Sequence, residues 1–294
     1  MSATKREGIV YGLGEAEYHG FGAHKQYRYA EMSSTHAKAL LKSPAKYHYA
    51  RVNGISQEPK ASFDVGTAAH TAILGVGAKT VVYPKEHWTP SGNVSTGAKT
   101  VAWAKEQRDA GFVPVSEEQE RDVTGMKEAV LAHPIARHLL ERAGHSEVSI
   151  FDEYLGVKRR GRFDYLPDGG DVAVDLKTAA DASPNEFKYA AAKYGYHIQR
   201  GHYLHIMHQL GRDLDMRFIV VEKNAPYLVA VHCLDDQFAE MGEAEALEAV
   251  DTYRRCMDSG VWPGYEEKLH ILPPPMGAVY DYADRYETEE IQVA

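Results

Sequence analysis

VAVDLKTAAD, residues 172–181, begins as a buried strand and then carries two ionisable groups, Asp175 and Lys177. Val172 and Val174 mark a strand that lies in a core, where an unpaired charge costs on the order of several kcal/mol. Alternate side chains of a strand share a face, so Asp175 and Lys177 point the same way and Leu176 points oppositely. Asp164 ends the preceding strand, just before the turn PDGGD. That turn makes the two strands neighbours, and two carboxylates brought so close repel unless a cation lies between them. Hard oxygen donors suit Mg²⁺, with Mn²⁺ as its substitute. A lysine beside such an ion and a water can orient or deprotonate the water, or stabilise charge developing on a phosphate.

Working outward, EVSIFDEYL and KRRGRFDYL precede this strand and complete a meander with Gly- and Asp-containing turns. Helices follow over 184–193 and 196–211, then a hairpin, MRFIVVEK and YLVAVHCL, turning at Asn224-Ala225-Pro226. Toward the N-terminus, Ser33 or Ser34 caps a short helix carrying Leu40 and Leu41. Ser43-Pro44 starts a second, which Asn53-Gly54 stops. A third helix runs from about Asp64 through VGTAAHTAIL. Another starts at Glu117 with Val123, Met126 and Val130 inward, and Pro134 restarts it with Ile135, Leu139 and Leu140. Residues 75–100, rich in Gly, Thr and Ser, read as a long loop. Phe238, Met241, Leu247, Val250 and Met257 recur at helical spacing until Gly260. The whole reads as one α/β domain over 32–265, with a loosely packed arm at 1–31 and an extended acidic tail at 266–294.

Thirty-three Lys and Arg against 42 Asp and Glu leave a net charge of −9 over 294 residues. That balance excludes a surface-wide grip on nucleic acid and leaves room only for a local site. Cys233 and Cys256 are too few for a four-cysteine zinc or iron–sulfur centre. The opening MSATKREGIVYGLG lacks the apolar run of a signal peptide, and no stretch has the length of a membrane span, so a cytoplasmic protein is expected. Neither G-x-S-x-G nor G-x-x-x-x-G-K-[ST] occurs, which excludes a built-in ATP motor.

Two further motifs flank the acidic pair. In GTAAH, Gly66 and His70 share a helix face, and the small Ala69 lets that helix approach a sheet closely. His70 can ligate the same metal or be a hydrogen-bonded core histidine. In YHIQRGHY, Gln199 and Tyr203 share a face that Ile206 and Leu210 continue. Gln199 can bond near the lysine or a nucleotide, and the Tyr203 ring can pack on a sugar or base; an ordinary buried face is the alternative. His197, His202, His205 and His208 surround that helix instead of lining one stripe, and nothing like H-E-x-x-H accompanies them, which argues against zinc.

In this order, Gly66 and His70, Asp164, Asp175 with Lys177, and Gln199 with Tyr203 resemble the PD-(D/E)XK nuclease superfamily, in its RecB-like and RecE-like branch related to lambda exonuclease. SPAKYHYAR, with Tyr47 at the aromatic position, is similar to that branch's S/C-P-x-x-F segment, and WPGY at 262–265 to its C-terminal end. The likeness spans roughly residues 31–265. Phe163-Asp164 stands where the superfamily has Pro-Asp.

The resemblance implies a restriction-endonuclease-like α/β core, a central mixed β-sheet flanked by helices. It implies metal ligation by His70, Asp164, Asp175 and the Leu176 carbonyl, with Lys177 acting on the attacking water. The activity implied is a Mg²⁺-dependent DNA exonuclease working on duplex ends in the 5′→3′ direction, in a homo-oligomeric ring. A single-strand annealing protein would be its partner in phage or prophage recombination. An endonuclease or single-strand nuclease of this fold, and a non-catalytic nucleic-acid-binding protein, stay open. Glu147 and Glu222 can reach the site as outer ligands. Arg162 shares the parity of Asp164 and can meet a phosphate. Lys158, Arg159 and Arg160 form either a DNA-backbone contact or a solvated turn.

Overall fold

Along 172–179 and 215–222 the apolar residues run on so nearly without a break that both faces of the resulting strands must be covered. In the computed structural model, which describes residues 7–14, 17–18, 31–53, 61–77 and 79–286, both faces are. The strands are β1 (Gly8–Val10), β2 (Thr80–Val82), β3 (Val113–Val115), β4 (Gly144–Tyr154), β5 (Val157–Pro167), β6 (Val172–Ala179), β7 (Asp215–Glu222) and β8 (Val229–His232). The helices are α1 (Ser34–Lys42), α2 (Pro44–Asn53), α3 (Ala61–Leu74), α4 (Ala98–Asp109), α5 (Glu117–Ala132), α6 (Pro134–Glu141), α7 (Pro184–Tyr194), α8 (Tyr196–Gln209), α9 (Asp236–Ser259) and α10 (Met276–Tyr286).

Six strands form one mixed sheet in the order β1-β4-β5-β6-β7-β8. Every neighbouring pair is antiparallel except β6–β7. A parallel pair needs a crossover, and α7 with α8 supplies it. Ala173, Met216, Phe218 and Val220 face Phe187, Tyr203, Ile206 and Met207 on one side. Val174, Leu176, Ile219 and Val221 face Ala68, Ala69, Val123 and Met126 on the other. Asp175 and Lys177 thus belong to the α7–α8 side, set among residues that are otherwise apolar. A third cluster joins α1, α2 and α9 through Leu40, Tyr47, Val250 and Tyr253.

The α8–α9 contact explains a difference from the sequence reading. Met241 and Met257 stand 49% and 46% exposed, and the inward face of α9 is instead Gly242, Ala246, Ala249, Val250, Tyr253 and Cys256. A Cβ on Gly201 would stand 2.6 Å from the Glu243 nitrogen, and one on Gly242 would collide with the His197 carbonyl. The helices cross backbone to backbone, so small residues take the face that larger ones would prise apart. Ile135 likewise points outward, because Ala136 and Leu139 occupy the buried side of α6.

Three expected irregular regions carry regular structure. Residues 75–100 hold β2, a 3₁₀ turn at Lys85–His87 and the start of α4, and β2 pairs in parallel with β3. Aromatic residues make this possible: Trp103 packs on Tyr83 and His87 at 5.0 and 5.2 Å, and buried His87 bonds Thr100 at 3.1 Å. The arm expected at 1–31 contributes β1, whose Ile9 pairs opposite Ile150 of β4; its remaining residues lie mostly outside those described. Residues 263–294 form a separate unit in which 276–286 is helical with no buried residue, where an extended tail is expected. Both cysteines are free. Among the described residues no helix is long and apolar enough to cross a membrane.

Candidate active site

β5 and β6 meet at the register pair Tyr165↔Val174. One residue before Tyr165 and two after Val174, the main chain of β6 bonds a side chain of β5: Leu176 N–H donates to Asp164 Oδ2 at 2.5 Å. This fixes the Asp164 carboxylate over the gap between the strands. His70 arrives from α3, its Nδ1 3.6 Å from the same Oδ2. Ala68 and Ala69 are fully buried beneath it, and Gly66 packs where a Cβ would meet Thr178 Oγ1 of β6 at 3.5 Å. The small residues of GTAAH thus let α3 lie close enough to the sheet for His70 to reach Asp164.

Asp175 is buried and held from two sides. Lys177 Nζ stands 2.5 Å from its Oδ2, and Gln199 Nε2 donates to its Oδ1 at 2.5 Å. Gln199 Oε1 in turn accepts from Lys177 Nζ at 3.3 Å, closing a triangle of carboxylate, ammonium and amide. The Tyr196 ring lies on the other side of the ammonium, 4.8 Å from Nζ. Burial, and then the repulsion of Asp175, hold the Asp164 carboxyl above the usual carboxylate range, although His70 and Lys177 pull it down. Burial alone would lower Lys177, but Asp175 and Asp164 outweigh it and hold the ammonium above its ordinary value.

Among the described residues, no three His, Cys, Asp or Glu side chains stand close enough to enclose a metal on their own. Asp164, Asp175 and His70 nevertheless form a hard donor set with excess negative charge in a buried place. Asp175 Oδ2 is buried against the Lys177 ammonium at 2.5 Å, and the Asp175 carboxylate repels that of Asp164. Two carboxylates set against one ammonium leave excess negative charge, which a divalent cation offsets. The residues fit such an ion.

The other expected site residues lie elsewhere. Tyr203 is buried, edge-on to Phe163 at 5.4 Å, its hydroxyl engaged by Ser34 and the Arg162 backbone; burial and then Asp175 push that phenol up to about 12. Its ring is core and is not available to a sugar or base. Arg162 donates to Ser149 Oγ at 3.0 Å and to the Leu13 carbonyl at 2.9 Å, and lies over the Tyr18 ring at 4.0 Å. It fastens the N-terminal segment. Glu147 has φ 54 and its carboxylate stands 3.6 Å from Arg162. Glu222 Oε1 accepts from Ala182 N–H at 3.0 Å and braces the start of the crossover.

Of the basic run, only Lys158 is exposed. Arg159 is buried against Asp152 (Nε to Oδ1 2.9 Å) and His205, and Arg160 bonds the Tyr18 carbonyl. Strand parity already puts Arg159 on the face of Gly161 and Phe163. Two residues at the site were not singled out from the sequence. Tyr196 was legible as three positions before Gln199 on one helix, whereas Lys38 of α1 has no local signal at all.

Residues 33–273 match the model of a family described as a PDDEXK-like domain of unknown function (DUF3799). Among solved structures, a candidate exonuclease from Eubacterium rectale superposes with a TM-score of 0.59 at 14% identity, over 92% of this chain and 98% of that one. An alkaline exonuclease from Laribacter hongkongensis gives a TM-score of 0.24 at 14% identity, over 68% and 94%, a similarity too slight to bear on the fold. No curated protein matches the sequence. With the family model spanning most of the chain, the mixed sheet carrying an Asp and an Asp-x-Lys, and a helix setting a Gln against them, this protein belongs to the PDDEXK-like domain family.

Proposed function

We propose that this protein is a divalent-metal-dependent deoxyribonuclease that hydrolyses phosphodiester bonds from duplex DNA ends. The observation that carries the reading is the Asp175–Lys177–Gln199 triangle with Asp164 and His70 across the strand gap. Asp164, Asp175, His70 and the Leu176 carbonyl would hold the ion, with Mg²⁺ expected and Mn²⁺ replacing it. Bound there, it supplies a Lewis acid that offsets charge on the phosphodiester oxygens.

The chain's own groups do the rest. Lys177 is held as a cation by two carboxylates, so its part is to orient the attacking water and to stabilise negative charge gathering on phosphorus-bound oxygen. Gln199 fixes where that ammonium points. The water oxygen–phosphorus bond forms as the bond to the departing sugar oxygen breaks. The water proton passes to solvent, and a proton from solvent neutralises the leaving oxygen.

Degradation of the 5′ strand, assembly of a ring and delivery of the exposed strand to an annealing protein in a phage setting extend this reading by family likeness. The Eubacterium rectale structure, described as a candidate exonuclease, supports the exonuclease part of the reading alone. The test is a linear duplex labelled at the 5′ or 3′ end, beside a closed circle, each with Mg²⁺ or EDTA. Stepwise loss of the 5′ label's strand from the linear duplex alone, Mg²⁺-dependent and reduced on the order of 10³-fold by Asp175→Asn, is expected. Cutting of the circle would make it an endonuclease, and an Asp175→Asn variant with undiminished cleavage would remove the site assignment.

A further inference from the structure

The connection between α7 and α8 carries groups that the hydrolytic site does not use. Gly195 joins the two helices at φ 65, in the left-handed region that glycine adopts freely. Lys38 of α1 crosses it so closely that a Cβ there would stand 2.6 Å from Lys38 Cδ. The Lys38 ammonium donates to the Tyr194 carbonyl at 3.1 Å and has no ion-pair partner among the described residues. Burial, and next the repulsion of Lys177, bring it down to about 8 against the pull of Asp175. A cation thus stands within electrostatic reach of the site with no carboxylate bound to it.

On either side of Gly195, the Tyr194 and Tyr196 rings lie 5.9 Å apart. Tyr196 is half-buried, backed by Phe187 and Phe218, with Lys177 on its ring and its hydroxyl without a hydrogen-bond partner among the described residues. Tyr194 is 54% exposed, with the Lys193 ammonium 5.6 Å from its ring. Core packing accounts for the Tyr196 body but not for an open Tyr194. Aromatic faces alternating with ammonium groups are what a single nucleic-acid strand needs, since any base stacks and every phosphate attracts a cation.

We propose that Lys38, Tyr194 and Tyr196 seat the nucleotides beside the scissile bond, Lys38 on a backbone phosphate and the tyrosines on bases, so that a single strand runs along the α7–α8 connection away from Lys177. This rests on the nuclease reading and adds the strand's course. The test is binding of a fluorescent, 5′-phosphorylated single-stranded oligonucleotide of about 12 nucleotides, by anisotropy across a salt series with Ca²⁺ in place of Mg²⁺. Lys38→Met keeps the aliphatic stem over Gly195. It is expected to weaken binding about tenfold and to reduce the salt slope by about 0.7, one single-strand phosphate. Tyr194→Ala, at an exposed position that leaves the core intact, is expected to weaken binding roughly 5- to 100-fold with the slope unchanged, and Tyr194→Phe to restore it. Wild-type affinity and slope in both Lys38→Met and Tyr194→Ala, with duplex cleavage intact, would overturn the strand's course alone. A wild-type protein that neither cleaves nor binds would overturn the nuclease reading and this inference with it.

Discussion

Gln199 is the residue on which the geometry of the site turns, although it is neither acid, base nor proposed ligand. Its amide spans the two charged groups of β6, donating to Asp175 and accepting from Lys177. Gln199→Ala leaves a buried carboxylate oxygen short of its donor, a loss of about 1–3 kcal/mol. It also frees an ammonium whose placement matters more than its charge. The expected outcome is a kcat lower by roughly 10- to 100-fold with KM nearly unchanged, because misplacement by about an ångström costs that much in the chemical step. Single-turnover cleavage checks it; a rise in KM with kcat kept would make Gln199 a substrate-binding residue. That Asp164, Asp175, Lys177 and Gln199 come together is legible because strand parity and helix spacing are local rules. The surroundings of Arg162 and Tyr203 are not legible in the sequence, because what they touch comes from far along the chain: Leu13 and Tyr18 for one, Ser34 for the other.

Elements were legible where one period ran uninterrupted, as in β4 to β8 and α7 to α8, and less so where small residues did the packing. The inward face of α9 is built on Gly242, Ala246 and Ala249, which carry almost no hydrophobic signal, and the larger Met241 and Met257 drew the reading to the wrong side. The β2–α4–β3 segment failed for the opposite reason: its few aromatic residues are scattered through Gly and Ser, and only the fold brings Tyr83, His87 and Trp103 together. The α8–α9 crossing makes a sharp prediction. In an isolated helix Gly→Ala gains about 1 kcal/mol of propensity. At Gly242 the new methyl meets the His197 carbonyl, so the helices must separate. Gly242→Ala is expected to destabilise by about 1–3 kcal/mol, read as a lower urea midpoint at unchanged slope. Because α8 carries Gln199, its activity loss should track the shift of that helix. A midpoint at or above wild type would mean that α9 yields without strain.

For the whole molecule, charge sets both partner and working range. A net charge of −9 repels DNA at distance, so the proposed strand path would rest on cations gathered locally, such as Lys38, Lys177 and Lys193 around Tyr194 and Tyr196. The same interior limits the protein in acid. His202 is fully buried on α8 with Nε2 donating to the Arg160 carbonyl at 3.1 Å. Burial, and then the Arg159 guanidinium, lower it to about 3. His36 falls to about 3 as well, through burial and then Arg51. Both are neutral in the folded chain and bind protons in the unfolded one below the ordinary histidine value near 6.5. Their contribution is therefore fully present above about pH 6.5 and declines as the pH falls toward 3, by up to about 1.4 kcal/mol per pH unit for each group. Urea unfolding at steps from pH 7.5 to 4 should show the midpoint falling only below about pH 6.5. His202→Gln keeps a donor for the Arg160 carbonyl and removes one titration, so its midpoint should fall less steeply over the same range. An equal slope in wild type and variant would mean that His202 is charged within the fold. The Arg159–Asp152 pair beside it would then have to carry a third charge.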